Sequence, residues 1–308
     1  MTPPLAVGFQ PPRFSIARRE LCWQFGTVKW KRWRLGLAGL VLAAAAVPAV
    51  AAITINPWEP LFRGIEFTTG TADTNEVRQQ KVFGLRVDLA EPTIEFFSTP
   101  SNGDIPLETF GQTTTTFVQT YGVAVGVNAG FFSPVNTTPN DPREVIGLAI
   151  SQGIVVSPHT TDQEVLLITR SNAVTIAVAP PANYSNVWTA VAGSDLILVD
   201  GVVQLTNCST SFCGPNPRTA VGLSQDGHYL YMMVIDGRQP GWSDGATLAE
   251  TGTWLLRLGA WNGLNLDGGG SSAMAKSEGG AALLLNRPSG GAQRVNGNHL
   301  GVFAQPLP

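Results

Sequence analysis

Leu264-Asn265-Leu266-Asp267-Gly268-Gly269-Gly270-Ser271-Ser272-Ala273-Met274 is the stretch on which the reading of this chain turns. A short apolar run delivers an aspartate and then, without a spacer, three glycines and two serines. Glycine serves where backbone takes positive φ or approaches a ligand closely. Successive N–H groups in such a turn form a concave anion nest, with the hydroxyls as further donors. A carboxylate beside a nest fits an anionic or polyhydroxylated substrate. The competing reading is a flexible Gly/Ser linker, but linkers rarely carry Leu-Asn-Leu-Asp in front and Ala-Met behind. The spacing matches neither GxxxxGK[ST] nor GxGxxG.

The 308 residues are 44% hydrophobic and 13% charged, enough for one sizeable core or two small ones. Of nineteen Lys/Arg, seven fall in residues 1–52, beside the single acid Glu20. That leaves twelve basic and twenty-one acidic residues beyond position 52, a net charge of −9. So acidic a body argues against a nucleic-acid partner.

Positions 35–53 are uncharged and rich in Leu, Ala and Val, directly behind Lys29, Lys31, Arg32 and Arg34. This is the layout of a signal peptide, with Ala49-Val50-Ala51 as cleavage candidate, or of an uncleaved membrane anchor. Either way the body is expected outside the cytoplasm: periplasmic, secreted or anchored. Cys208 and Cys213 agree, since in an oxidising compartment they close a small disulfide loop. His159, His228 and His299 are scattered and no CxxC occurs, so no metal and no cofactor is expected.

Residues 53–79 read as a linker into a domain spanning 80–308. From Val82 short strands follow one another: 82–89, 93–97, a helix-like start at Phe117 running into an apolar strand ending at Val127, then 145–150, 154–157, 164–170, 173–178 and 195–199. Residues 133–144 read as a long loop. Thr219–Leu223 and His228–Ile235 flank Asp226-Gly227, a strong hairpin signal. A two-residue loop pairs 218 with 235; one residue more pairs 218 with 236. The clearest helix is 248–258, where Thr247-Leu248-Ala249-Glu250 matches a capping box. Glu250 therefore has a structural role available as well as a chemical one. The pattern predicts a single α+β domain of mixed or antiparallel sheet with few packed helices.

One feature recurs. Apolar runs end in a polar residue followed by small ones at Val127-Asn128-Ala129-Gly130, Ile235-Asp236-Gly237-Arg238 and Leu266-Asp267-Gly268. Taken singly, each is an Asx turn closing a strand. Together with Arg218, Arg238 and Arg294, among the few cations of an acidic body, they point to a site at strand ends. Arginine forks suit phosphate or carboxylate, and paired carboxylates suit glycosidic chemistry.

Asn128-Ala129-Gly130-Phe131-Phe132, Pro217-Arg218-Thr219-Ala220-Val221-Gly222, Asp236-Gly237-Arg238, Glu250, the Leu264–Ser272 run and Arg294 stand in the order seen in the phosphodiester glycosidase family, which this chain resembles over about residues 80–305. The family includes the lysosomal uncovering enzyme and exported bacterial proteins linked to exopolysaccharide. The resemblance implies hydrolysis of a sugar-1-phosphodiester in a glycan or glycoconjugate. On it, Asp267, Asp236 and Glu250 are the carboxylate candidates. Asn128, Arg218, Arg238, Gly268, Gly269, Gly270, Ser271, Ser272 and Arg294 are the substrate-binding candidates. Asn216 stands where many bacterial relatives carry histidine. The alternative is a noncatalytic module that binds surface polysaccharide, for which Trp188, Trp242, Trp254 and Trp261 are the available aromatics, the last two expected in the core.

Overall fold

The computed structural model describes residues 53–72, 78–159, 163–181 and 183–308. The basic and apolar segment read as signal or anchor lies, but for Ile53, outside them. No helix among the described residues is long and apolar enough to cross a membrane.

The architecture is set by Tyr229–Ile235, a strand with no polar face. Leu230, Met232 and Val234 enter one hydrophobic core, while Tyr231, Met233 and Ile235 enter another. A strand covered on both sides has no reason to alternate apolar with polar. It pairs with Gln80–Asp88 on one side and Arg218–Leu223 on the other. Outward from these run Ile65–Ala72 and Ile53–Ile55 at one end, and Asn262–Asn265, Asp195–Val199 and Val202–Val203 at the other. With Glu59–Phe62 beside Ile65–Ala72 they make nine strands, and every pairing is antiparallel. Arg218 lies opposite Ile235, the register of the two-residue hairpin loop.

On one face lies α2 (Leu248–Leu258). Thr247 and Glu250 complete its capping box, and it closes at Gly259. It buries Leu248, Trp254, Leu255 and Leu258 against the sheet. The other face meets two five-stranded antiparallel sheets in one continuous core. Val125–Asn128 and His299–Phe303 belong to the first, Val165–Thr169 and Val187–Ala192 to the second. The earlier helix, α1 (Thr114–Tyr121), covers the outer face of the first through Phe117 and Val118. Among the described residues the result is an α+β domain of antiparallel sheets with two α-helices.

Two expectations are corrected. Residues 53–72 are not a linker but three strands. Ile65–Ala72 pairs over its whole length with Gln80–Asp88, which buries Ile65 and Ala72. The stretch 133–144 is not all loop, since Pro142–Ile146 pairs with Phe131–Ser133.

Candidate active site

After Asn262–Asn265 the chain leaves the nine-stranded sheet. Leu266 N still donates to Thr219 O at 2.9 Å, but Asp267 N donates to Ala129 O at 2.9 Å, beyond the end of a strand in the neighbouring sheet. Met274–Glu278 then pairs with that strand, Val125–Asn128. The glycine-serine turn is thus the crossing between two sheets. Asn128 fastens both its ends: Nδ2 donates to Asp267 O at 2.6 Å, and Oδ1 accepts from Ala273 N at 3.1 Å and from Thr219 Oγ1 at 2.7 Å. Buried and occupied in this way, Asn128 shapes the turn from behind and does not line the cavity in front of it.

That cavity, about 230 Å³, is walled by the 267–270 turn, Phe131, Phe212, Asn216, Arg218, Arg238 and Arg294. The turn is not the open N–H nest expected. Gly269 N donates to Pro217 O, Ser271 N to Gly268 O and Ser272 N to Gly269 O. What the missing side chains make room for is guanidinium. A Cβ on Gly270 would stand 2.5 Å from Arg294 Nη2, and one on Gly269, whose φ is +61°, would stand 3.3 Å from Arg238 Nη2. Two arginines therefore lie against bare backbone, where a side chain on Gly270 would displace Arg294 and one on Gly269 would crowd Arg238.

Each arginine is held differently. Arg294 donates from Nη1 to Ser271 Oγ at 3.2 Å. Its segment is tied down by Gln293 to Thr115 and by Asn296 to Gln112 and to Ser271 O. Arg238 donates from Nε and Nη2 to Asn216 Oδ1. Arg218 is buried at the first position of its strand, with Nε on Ala246 O at 2.9 Å and Nη2 on Phe212 O at 2.7 Å and Gly214 O at 2.6 Å. Its fork is thus largely spent on carbonyls. Nη1 alone makes no hydrogen bond among the described residues. Burial, reinforced by the like charge of Arg238, lowers its pKa to about 10.

Asp267 is the one carboxylate on the cavity wall. Burial pushes it up to about 6, against the opposing pull of the Ser271 hydroxyl, the Arg294 charge and the Gly268 N–H. The other two carboxylate candidates are not brought to the cavity. Asp236 is buried and closed in by Trp242 Nε1 at 2.8 Å, Asn286 Nδ2 at 2.9 Å and Arg287 N at 3.1 and 3.2 Å. Glu250 receives Thr247 N at 2.8 Å as its capping box requires, together with Gln80 and an ion pair to Arg78. Ser271 and Ser272 are buried beneath the turn. Phe131, Phe212 and Asn216 are wall residues that sequence reasoning did not list. Phe131 lies in a motif singled out above, and Asn216 is the position noted for its departure from histidine, but nothing local marks Phe212. No group of three or more His, Cys, Asp or Glu among the described residues is placed to hold a metal ion.

A larger cleft of about 570 Å³ on another sheet, around Arg170 and Trp188, has no carboxylate on its wall. Trp254 is buried in the core, as expected, while Trp261 is only partly buried. No tryptophan lines the arginine cavity.

No curated protein matches the sequence. Among solved structures, a hypothetical protein from Synechocystis aligns at TM-score 0.61 and 18% identity over 81% of this chain; the match spans 64% of that chain, just under two thirds. The catalytic domain of zebrafish N-acetylglucosamine-1-phosphodiester alpha-N-acetylglucosaminidase, auto-inhibited by its pro-peptide, aligns at TM-score 0.61 and 18% identity, over 83% of this chain and 89% of that one. A Burkholderia pseudomallei protein described as exported aligns at TM-score 0.63 and 14% identity, over 89% of this chain and all of that one. At such identities these likenesses speak for the fold. The sequence itself matches the phosphodiester glycosidase family model over residues 121–303, more than half of its length and including every residue of the cavity wall, and the chain belongs to that family.

Proposed function

We propose that this protein is an exported hydrolase that cleaves the bond between a sugar and phosphate in a sugar-1-phosphodiester of a glycan or glycoconjugate. The observation that carries the reading is the charge arrangement of the cavity: three guanidinium groups around a glycine turn, facing a single carboxylate. Cations held together repel one another, most strongly at the buried Arg218, and an anion relieves that cost. Arg238 and Arg294 take the phosphate oxygens, and Arg218 adds its field from behind. Asp267 serves as the carboxylate at the anomeric carbon, as nucleophile or as base toward water. The C1–O bond breaks, the oxygen of water ends on C1, and the phosphomonoester leaves with the electron pair. A phosphomonoester is a good leaving group, so the main demand on the protein is to stabilise the oxocarbenium-like transition state. Export is supported by the Cys208–Cys213 disulfide and by the likeness in fold to a protein described as exported.

The test is release of free sugar from a sugar-1-phosphodiester by the purified protein. Turnover that Asp267→Asn abolishes supports the reading. Tight binding of sugar phosphates without any turnover favours the noncatalytic polysaccharide-binding module instead.

A further inference from the structure

The phosphate chemistry leaves two residues of the cavity wall unexplained, the aromatic rings of Phe131 and Phe212. Phe212 is the fifth residue of the six-residue loop closed by Cys208 and Cys213. The loop turns its backbone inward. Phe212 O and Gly214 O accept from Arg218, Ser211 O and Gly214 O accept from Asn216, and Cys213 O accepts from Leu248 N at the start of α2. With its carbonyls committed to the protein, the loop leaves its only aromatic side chain on the cavity side, 43% exposed. The ring lies 5.7 Å from Arg218 Cζ and 6.4 Å from the ring of Phe131, tilted 47° to it.

An exposed phenylalanine cross-linked into place beside the buried guanidinium of Arg218 is poorly explained by packing, since it gains little from the core. A pyranose has a polar rim and apolar C–H faces, and an aromatic ring is the surface that takes such a face. The cavity, smaller than the roughly 300–1,000 Å³ of drug-sized pockets, has room for one ring and its phosphate. We propose that Phe212 is the platform on which the ligand's sugar ring stacks while the arginines hold its phosphate, so that the Cys208–Cys213 loop sets the sugar preference of the site. The inference rests on the sugar-phosphate reading above but needs no catalysis to be judged.

The experiment is calorimetric titration of the full chain, in its wild-type, Phe212→Ala and Phe212→Trp forms, with inorganic phosphate and with glucose, galactose and mannose 1-phosphate. At least one hexose phosphate is expected to bind wild type about tenfold more tightly than inorganic phosphate, the scale of one aromatic contact. Phe212→Ala removes that advantage while phosphate binds as before, and Phe212→Trp restores it. Two results would overturn the proposal: no hexose phosphate outbinding phosphate in wild type, or Phe212→Ala weakening phosphate and hexose phosphates alike. The second would mean that the ring acts only through Arg218. Because binding is read directly, absent turnover counts against the hydrolase reading alone.

Discussion

Asp236 and Asp267 begin from the same local plan, a buried strand running into aspartate and glycine, and finish with opposite surroundings. Around Asp236 the protein supplies an indole N–H, an amide and a backbone N–H, so both carboxylate oxygens are taken. Around Asp267 it supplies a cavity, a neighbouring arginine and a serine hydroxyl. Burial raises both carboxyls. The first charge holds the 286–287 segment and Trp242 in place, whereas the second stands on a cavity wall, with only the Ser271 hydroxyl, the Gly268 N–H and the Arg294 charge to offset its burial. A strand-end carboxylate becomes a candidate for chemistry through what the rest of the fold withholds from it.

The largest effect expected from this contrast is at Asp267. Asp267→Asn should lower kcat on a sugar-1-phosphodiester about a thousandfold, within the range for lost acid–base function, with Tm unchanged or raised. The pH dependence has a definite sign. The folded carboxyl sits near 6 and the unfolded one near 3.8, so between those values the folded protein holds the extra proton. Its contribution to stability is greatest at low pH and fades as pH rises to about 6. Activity should run the other way, falling below about pH 6 as the carboxylate is protonated. Melting curves from pH 4 to 7 should lose this component in Asp267→Asn.

Asp236→Ala should give the converse result, a loss of about 3 kcal/mol in denaturant unfolding as three buried donors lose their acceptor, while the folded fraction keeps kcat within a few-fold. A similar division separates the arginines. Arg294→Lys keeps charge but loses the planar fork, and should cost about thirtyfold in kcat/KM with little change in Tm. Arg218→Lys should lower both, because its guanidinium also holds the 212–214 backbone. The smallest effect is at Glu250. Gln also completes a capping box, so Glu250→Gln should cost less than about 1 kcal/mol and leave most turnover intact. A dead but stable Glu250→Gln enzyme would break the contrast by moving the working carboxylate to α2.

Local signals were legible wherever local chemistry decided the outcome. The capping box gave α2, Asp226-Gly227 gave the hairpin, and the spacing of Cys208 and Cys213 gave the disulfide. The strands at 53–72 were missed because proline, glycine and threonine interrupt them; distant partners, not local pattern, hold them in the sheet. The same holds in the site. Arg294 reaches the cavity through ties from Gln293 and Asn296 to residues around 112–115, and Phe212 reaches it through a loop pinned to Arg218. Neither placement leaves a periodic trace. Asn128 read as a ligand contact because a strand-end amide and a strand-end staple look alike until the bonding partners are known.

Asn128 also bears on how the protein comes to be folded. Its amide joins residues 139 and 145 positions away, and the cavity wall it supports is not complete until Arg294, near the end of the chain. Contacts so distant in sequence close large loops and form slowly. The cavity is therefore a late product of folding, since its wall closes only when segments more than a hundred residues apart in sequence have met.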